Sequence, residues 1–312
     1  MKKMPDIVKS AKEGIAMAEY TRMLQNGMIG ADVLSAKRRL VALGFLHAAT
    51  KSKFGDETEV AVKKFQSVNG LEVDGIIGEK TWAALFGDTS ANTCESTEST
   101  ADKYYILDRF GAELKAELVA DIETVSELRR EICLDALQFA IDPYNPPDYP
   151  RSFYIRGGNL YNKDLTLNVM TESRLKSYFA KSSYAQYFDG GRKEMMLEAS
   201  AESGFSTSGA DCSGGIVGLM RAHEVYSSGF DASANTLHAS HATDTNNPSA
   251  GDWHWKSEHI GLYVGAGRTV EWAGGAYGCQ LTKMNDRRCY NFVDKKLHRM
   301  GAWETYCKPR KY

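Results

Sequence analysis

Residues 211–226 read DCSGGIVGLMRAHEVY, and this stretch decides the fold of the longer, C-terminal part of the chain. Ile216, Leu219, Met220 and His223 fall at helical spacing. Asp211, just before that run, has the position of a helix N-cap, which predicts Cys212 and Ser213 in the first turn. The thiolate is the nucleophilic form of cysteine, and a helix N-terminus with an imidazole nearby favours it. Backbone N–H groups of the same turn can also face an oxyanion.

Working outward, His259 lies 47 residues after Cys212 and opens the alternating run His-Ile-Gly-Leu-Tyr-Val-Gly. Ile260, Leu262 and Val264 share one face of the predicted strand, and His259 and Tyr263 share the other. Gly265-Ala266-Gly267 reads as a hairpin turn, and Arg268–Trp272 as the return strand carrying Glu271. With side chains alternating, a loop centred on Gly265 sets His259 and Glu271 opposite each other. Glu271 would then hold one ring nitrogen and leave the other for the thiol. The bland alternative is a buried structural cysteine, a strand histidine and a solvated glutamate. The flanking pattern outweighs it.

With these flanks the chain resembles the NlpC-type cysteine peptidases of bacterial cell walls, a papain-like family marked by Asp-Cys-Ser-Gly and His-Val/Ile-Gly-Ile/Leu-Tyr. The match covers much of residues 130–306. Pro248–Trp253 resembles the family's Pro-Gly-Asp turn, Asp231–Leu237 a Ser/Ala-rich segment, and Tyr154-Ile-Arg-Gly-Gly158 a Tyr-x-x-Gly-Gly whose tyrosine lines the site. Lys296–Tyr306 resembles the closing strand. The resemblance implies an α+β papain-like domain with a central antiparallel sheet. Its catalytic residues would be Cys212, His259 and Glu271, with Asp211, Ser213 and Tyr154 at the oxyanion site or lining it. It further implies hydrolysis of the stem-peptide amide between D-glutamate and the diamino acid. N-acetylmuramoyl-L-alanine amidase activity is the alternative, and a non-catalytic wall-binding or virion structural protein the alternative of another class. Two departures stand out. Gly158 and Asp211 are 53 residues apart, so residues 159–208 read as an insertion, with an amphipathic helix over Glu172–Phe188 packed on the domain. Trp272-Ala273-Gly274 replaces a segment that often carries a basic residue.

Nearer the N-terminus, residues 27–86 carry Val33-Leu34, Arg39–Phe45, Phe54–Thr58, Ala61–Gln66 and Leu71–Trp82. Val33, Leu40 and Leu43 form one predicted helix stripe and Val62 with Phe65 another, while glycines at 44, 55, 70, 75 and 78 mark turns. This pattern resembles the three-helix peptidoglycan-binding domain of many wall hydrolases. The resemblance implies wall contacts by Phe65, Gln66, Asp74, Gly75, Gly78 and Thr81, with bacterial peptidoglycan as the partner.

Composition bounds the rest. The expected organisation is an extension over 1–26, the binding domain over 27–88, a linker over 89–105 in a Ser/Thr/Glu-rich stretch, and the peptidase domain over 106–312. A net charge of −2 and a pI near 6.4 leave no basic footprint for nucleic acid. Residues 1–88 hold 13 Lys+Arg against 11 Asp+Glu, so bulk electrostatics would not drive wall binding. No run of 18 apolar residues predicts membrane insertion. Lys2-Lys3 is followed by charges rather than an apolar core, so no leader is legible. The expected location is the host cytoplasm and then the wall once the membrane is breached, or secretion if a leader has been removed. The cysteines, at 94, 133, 212, 279, 289 and 307, read as mostly free thiols. His238, His241 and His254 lack acidic or cysteine companions at ligand spacing, so no metal is expected, nor any cofactor. His298 has no motif that would make it catalytic, and Asp189-Gly190-Gly191 reads as a turn.

Overall fold

The computed structural model describes residues 20, 22–43, 45–46, 53–86, 100–202 and 207–312. Most of the expected N-terminal extension, Gly44, Cys94 and most of the expected linker lie outside the described residues. The chain divides into two compact units, Met1–Ser96 and Thr97–Tyr312.

The first unit is built from helices α1 (Ala31–Ala42), α2 (Asp56–Val68) and α3 (Glu79–Phe86). Val33, Leu40, Val62 and Phe65 enter one core with Leu24, Phe54, Ile77, Trp82 and Leu85. Leu43 does not join the α1 stripe: it follows the last helical residue and is exposed. Isolated antiparallel bridges Leu24↔Ile77 and Ile29↔Lys53 tie the loops together. The Asp74-Gly75 turn is organised from inside. Buried Gln66 donates through Nε2 to Asp74 Oδ1 (2.7 Å), Ile76 O (2.9 Å) and Thr81 Oγ1 (3.2 Å), and its Oε1 accepts from Gly75 N (2.9 Å). Gly75 has φ +79°, and a Cβ there would meet Glu59 Cγ at 2.7 Å, so glycine is required. Phe65, Gln66 and Thr81, expected among the wall contacts, are buried; they build the domain and cannot reach a polymer outside it. Asp74 is exposed.

The second unit opens on a kinked helical segment, Thr100–Phe110, whose Tyr104, Leu107 and Phe110 are buried. Residues 100–105, expected as linker, therefore belong to this fold. Helices α4 (Ala112–Ile122) and α5 (Glu127–Phe139) follow, then strand β1 (Ser152–Tyr154), helices α6 (Glu172–Phe179), α7 (Ala185–Phe188) and α8 (Arg192–Glu202), and strand β2 (Ser208–Ala210). Helices α9 (Cys212–Ala222) and α10 (Ala234–His241) lead into strands β3 (Ala242–Thr245), β4 (Trp253–Lys256), β5 (His259–Gly265), β6 (Arg268–Trp272), β7 (Cys279–Lys283), β8 (Arg288–Asn291), β9 (Lys296–Arg299) and β10 (Thr305–Pro309).

A six-stranded antiparallel sheet ordered β3-β10-β4-β5-β6-β7 forms the centre. Helix α9 is buried almost throughout and packs on this sheet, and its glycines explain how closely. A Cβ on Gly215 would run into the Trp272 ring, and one on Gly214 into the Gly158 carbonyl oxygen. The closing strand is shorter than expected. Lys296–Arg299 pairs with β8 in a separate hairpin, and the sheet is entered only at Thr305.

The helix expected over Glu172–Phe188 is broken into α6, a 3-10 turn and α7. Its Leu175, Tyr178 and Phe188 share a core with Met195, Met196 and Phe292, so these rings are packing groups. The spacing between Gly158 and Asp211 has a structural resolution. β1 pairs in parallel with β2, setting Tyr154 beside Ala210, the residue before Asp211. Leu160 and Asn168 also stay with this layer, through Leu160 N to Gly214 O (3.1 Å) and Gly209 N to Asn168 O (3.0 Å). The excursion thus leaves after Met170, not at 159. Among the described residues, no helix is long and apolar enough to cross a membrane.

Candidate active site

Asp211 caps α9 as the sequence predicts, accepting from Gly214 N at 2.7 Å. Its second oxygen accepts from Gly157 N at 2.8 Å, and the Ser213 hydroxyl donates to the first at 3.1 Å. The carboxylate is therefore spent on joining the helix start to the Tyr154–Gly158 loop. Cys212, in the first turn, is 5% exposed. Its thiol donates to the Glu258 carbonyl at 3.6 Å, and the backbone N–H groups of Ile260 and Ser213 also face the sulfur. The sulfur thus touches the chain on both sides of His259.

Glu258 is the turn residue between β4 and β5, with φ +63°, an uncommon conformation for a residue with a side chain. Its N–H donates to Asn235 Oδ1 at 2.9 Å. Asn235, from the Asp231–Leu237 segment, thus holds the turn that the Cys212 sulfur meets.

His259 Nε2 lies 2.6 Å from Glu271 Oε2, which leaves Nδ1 as the free ring nitrogen. The register differs from the one expected. Leu262 pairs with Val270, and a bulge between Tyr263 and Gly265 precedes the Ala266-Gly267 turn. Counting on from Leu262↔Val270 puts Gly261, not His259, opposite Glu271, so the contact is diagonal across the same face. Gly261 makes this possible, since a Cβ there would lie 2.6 Å from Thr269 Cγ2 and 3.2 Å from Glu271 Cβ.

Glu271 is fully buried and held by more than the histidine. Arg287 Nε donates to its Oε1 at 2.8 Å, Arg287 Nη2 pairs with Oε2, and Thr282 Oγ1 donates to Oε1 at 2.5 Å. Trp303 lies between the two partners. Its ring stacks on His259 (centroids 5.4 Å apart, planes 10° apart) and lies beneath the Arg287 guanidinium at 4.3 Å. Sequence reasoning missed Arg287 and Thr282 and gave Trp303 no role, because these residues carry no motif of their own.

Burial works against charge on Glu271, but Arg287 and His259 outweigh it and hold the carboxyl well below its usual range. Burial pulls the His259 imidazole down, with Glu271 partly offsetting it. Burial and then the Asp211 charge push the Cys212 thiol up to about 12. Both directions favour the uncharged thiol and the uncharged imidazole, against the thiolate that helix position alone predicts.

Tyr154 is buried, stacks on Tyr187 (5.8 Å between centroids) and feels the Cys212 and Asp211 charges after burial, all of which push its phenol up. Trp272 points inward, its Nε1 donating to Ser152 Oγ at 2.9 Å. His298 binds Asp294 (2.8 Å) and Tyr277 (3.2 Å) instead of the site. His254 is fully buried in β4, whereas His238 pairs with Asp244 (2.8 Å) and stacks on Trp255. Among the described residues no cluster of histidine, cysteine and carboxylate could hold a metal, and the five described cysteines are free and buried.

Comparison with known proteins adds identity to the N-terminal unit. Residues 29–85 match the family described as "Putative peptidoglycan binding domain". The chain is 35% identical over 77 residues to a spore cortex-lytic enzyme of Halalkalibacterium halodurans, covering 25% of this chain and 23% of that one. It is 37% identical over 60 residues to the spore cortex-lytic enzyme of Oceanobacillus iheyensis, covering 19% and 22%. The chain thus spans under a quarter of the length of these curated relatives. A crystal structure of a Burkholderia AP3 phage endolysin is similar at 22% identity over 53% of this chain and 52% of that one, with a TM-score of 0.20, too low to carry a structural argument. The first unit of this chain therefore contains a domain of the peptidoglycan-binding family.

Proposed function

We propose that the chain is a peptidoglycan hydrolase in which a papain-like domain cleaves a stem-peptide amide by a Cys212–His259–Glu271 mechanism. The observation that carries this reading is the convergence at one point of the β4–β5 turn. The Cys212 thiol meets the Glu258 carbonyl, and the adjacent His259 is oriented by a buried, charge-paired Glu271.

In this reading His259 Nδ1 takes the thiol proton as the sulfur attacks the scissile carbonyl carbon. Charge on the resulting oxyanion is met by backbone N–H groups of the first turn of α9. His259 then gives the proton to the leaving amine as the C–N bond breaks, and water releases the acyl group from sulfur by the reverse sequence. Glu271 stays ionised throughout because Arg287 is beside it, and it stabilises the imidazolium that forms transiently. The D-glutamyl–diamino acid bond is the proposed target, and the peptidoglycan-binding domain supports a wall polymer as the partner.

Purified walls treated with the protein should lose turbidity and release fragments whose masses show new D-glutamate carboxyl ends, with no release by Cys212→Ala. New muramic acid carboxyls would assign the amidase chemistry instead. Undiminished lysis by Cys212→Ala would end the thiol mechanism.

A further inference from the structure

Two cavities adjoin beside the nucleophile helix. The smaller, about 310 Å³, is lined by Asp211 and Ser213 next to Cys212. Its neighbour, about 400 Å³, shares Gly157, Gly158, Asn159 and Asp231 with it and extends under α6. A volume of that size lies in the range of clefts that seat small ligands, roughly 300–1,000 Å³.

The charge of the larger cavity is one-sided. Arg156, Lys163, Arg174, Lys181 and Arg221 line it, with Asp231 as the opposing carboxylate. Among the described residues, no salt bridge pairs any of these five cations. In a chain whose net charge is −2, that is a local concentration of positive charge against the overall balance.

The wall residues also carry unmet hydrogen-bonding capacity. Asn168 and Arg221 are 7% and 3% exposed, yet Asn168 Oδ1 and Arg221 Nε have no partner. Asn159 Oδ1, where the two cavities join, has none either. Buried polar atoms are nearly always paired in a folded protein. Amide oxygens accept N–H groups, and guanidinium and ammonium groups bind carboxylates.

We propose that the larger cavity seats an anionic peptide segment, the part of the substrate continuing from the scissile bond along Gly157-Gly158. Its carboxylates meet Arg174 and Lys181. Naming this segment as substrate rests on the hydrolase reading above, whereas the binding itself can be measured without turnover.

The test titrates full-length Cys212→Ala calorimetrically with the soluble stem tripeptide L-alanyl-D-isoglutamyl-diaminopimelate and with the same peptide carboxamidated. The free-carboxylate form should bind roughly tenfold more tightly, a preference that weakens as salt screens it. Adding Arg174→Ala with Lys181→Ala should abolish the preference, and Arg174→Lys, which keeps the charge, should retain it. Equal affinity for the two peptides, or a preference that survives the double substitution, overturns the inference. The hydrolase reading is judged separately by fragment release from walls with Cys212 intact. No release with the preference preserved would overturn that reading and leave the anionic seat standing.

Discussion

Cys212 occupies the position where a helix dipole favours a thiolate, an effect of about 0.3–1 kcal/mol at an ordinary terminus. Removing the sulfur from water opposes it, and so does the adjacent Asp211 carboxylate, with the result that the thiol is pushed up to about 12. The rate of alkylation by iodoacetamide should therefore keep climbing with pH beyond the ordinary thiol value of about 8.5. A plateau reached near neutrality would mean that a thiolate–imidazolium pair already exists at rest. Besides the orienting role proposed for it, Glu271 bears on stability, since Glu271→Gln leaves the buried Arg287 guanidinium without its counter-charge. Breaking a buried pair from one side costs about 3–5 kcal/mol. The variant should unfold at lower denaturant and turn over more slowly, while wall binding through the first unit stays unchanged. A turnover loss with no stability loss would show that Arg287 does not depend on Glu271. At this scale Cys212, His259 and Glu271 were legible because each sits in a periodic stretch with a fixed neighbour. Arg287 and Trp303 were not, because they come from the connections between β7 and β8 and between β9 and β10, where no period announces which way a side chain points.

The β5–β6 hairpin shows what a strand pattern can and cannot specify. Alternation put His259 and Glu271 on one face, as the structure has them, but the turn after Gly265 shifts the pairing and the bulge after Tyr263 returns it by only one residue, so that Gly261 stands opposite Glu271. A bulge has no signature in alternation, since it adds a residue without changing the apolar set. The same limit applies to His254, since alternation with Trp253 and Trp255 does not say which face is buried. Trp253 and His254 are both fully buried, and His254 stacks on Tyr263 and lies tilted against Tyr306, with Nδ1 2.8 Å from Thr269 Oγ1. Burial, slightly offset by Glu271, brings its imidazole down to about 3. The folded protein thus leaves it unprotonated, whereas the unfolded chain protonates it below about 6.5. The stability it contributes is complete above that pH and falls as the pH drops toward the folded value. Between pH 7 and pH 4 the loss amounts to roughly 3 kcal/mol. Urea unfolding of the parent and of His254→Phe at both pH values should show the smaller drop in the variant. Parallel drops would mean that water or relaxation lets the buried imidazole take up its proton.

At the scale of the molecule, the pattern over residues 27–86 was legible because a small helical unit has few ways to bury its stripes. Val33, Leu40, Val62 and Phe65 all entered the core. The less legible point was that two of the motif's polar residues serve that core: Gln66 and Thr81 are spent on the Asp74-Gly75 turn, so the wall contact proposed for this unit falls to the exposed surface around it. The arrangement proposed is a catalytic unit tethered to its insoluble substrate by a second unit, and tethering acts through effective concentration without changing the chemistry at the sulfur. Deleting residues 1–96 should therefore leave kcat and KM for a soluble stem peptide unchanged and lower the rate on intact walls, by roughly a hundredfold if the first unit supplies most of the wall affinity. Circular dichroism of the truncated protein would establish that its sheet is intact. Because charge in residues 1–88 is nearly balanced, the difference between the two proteins should change little with salt. Equal losses on peptide and wall would show that the first unit supports the catalytic fold itself, and would remove the tether from the account.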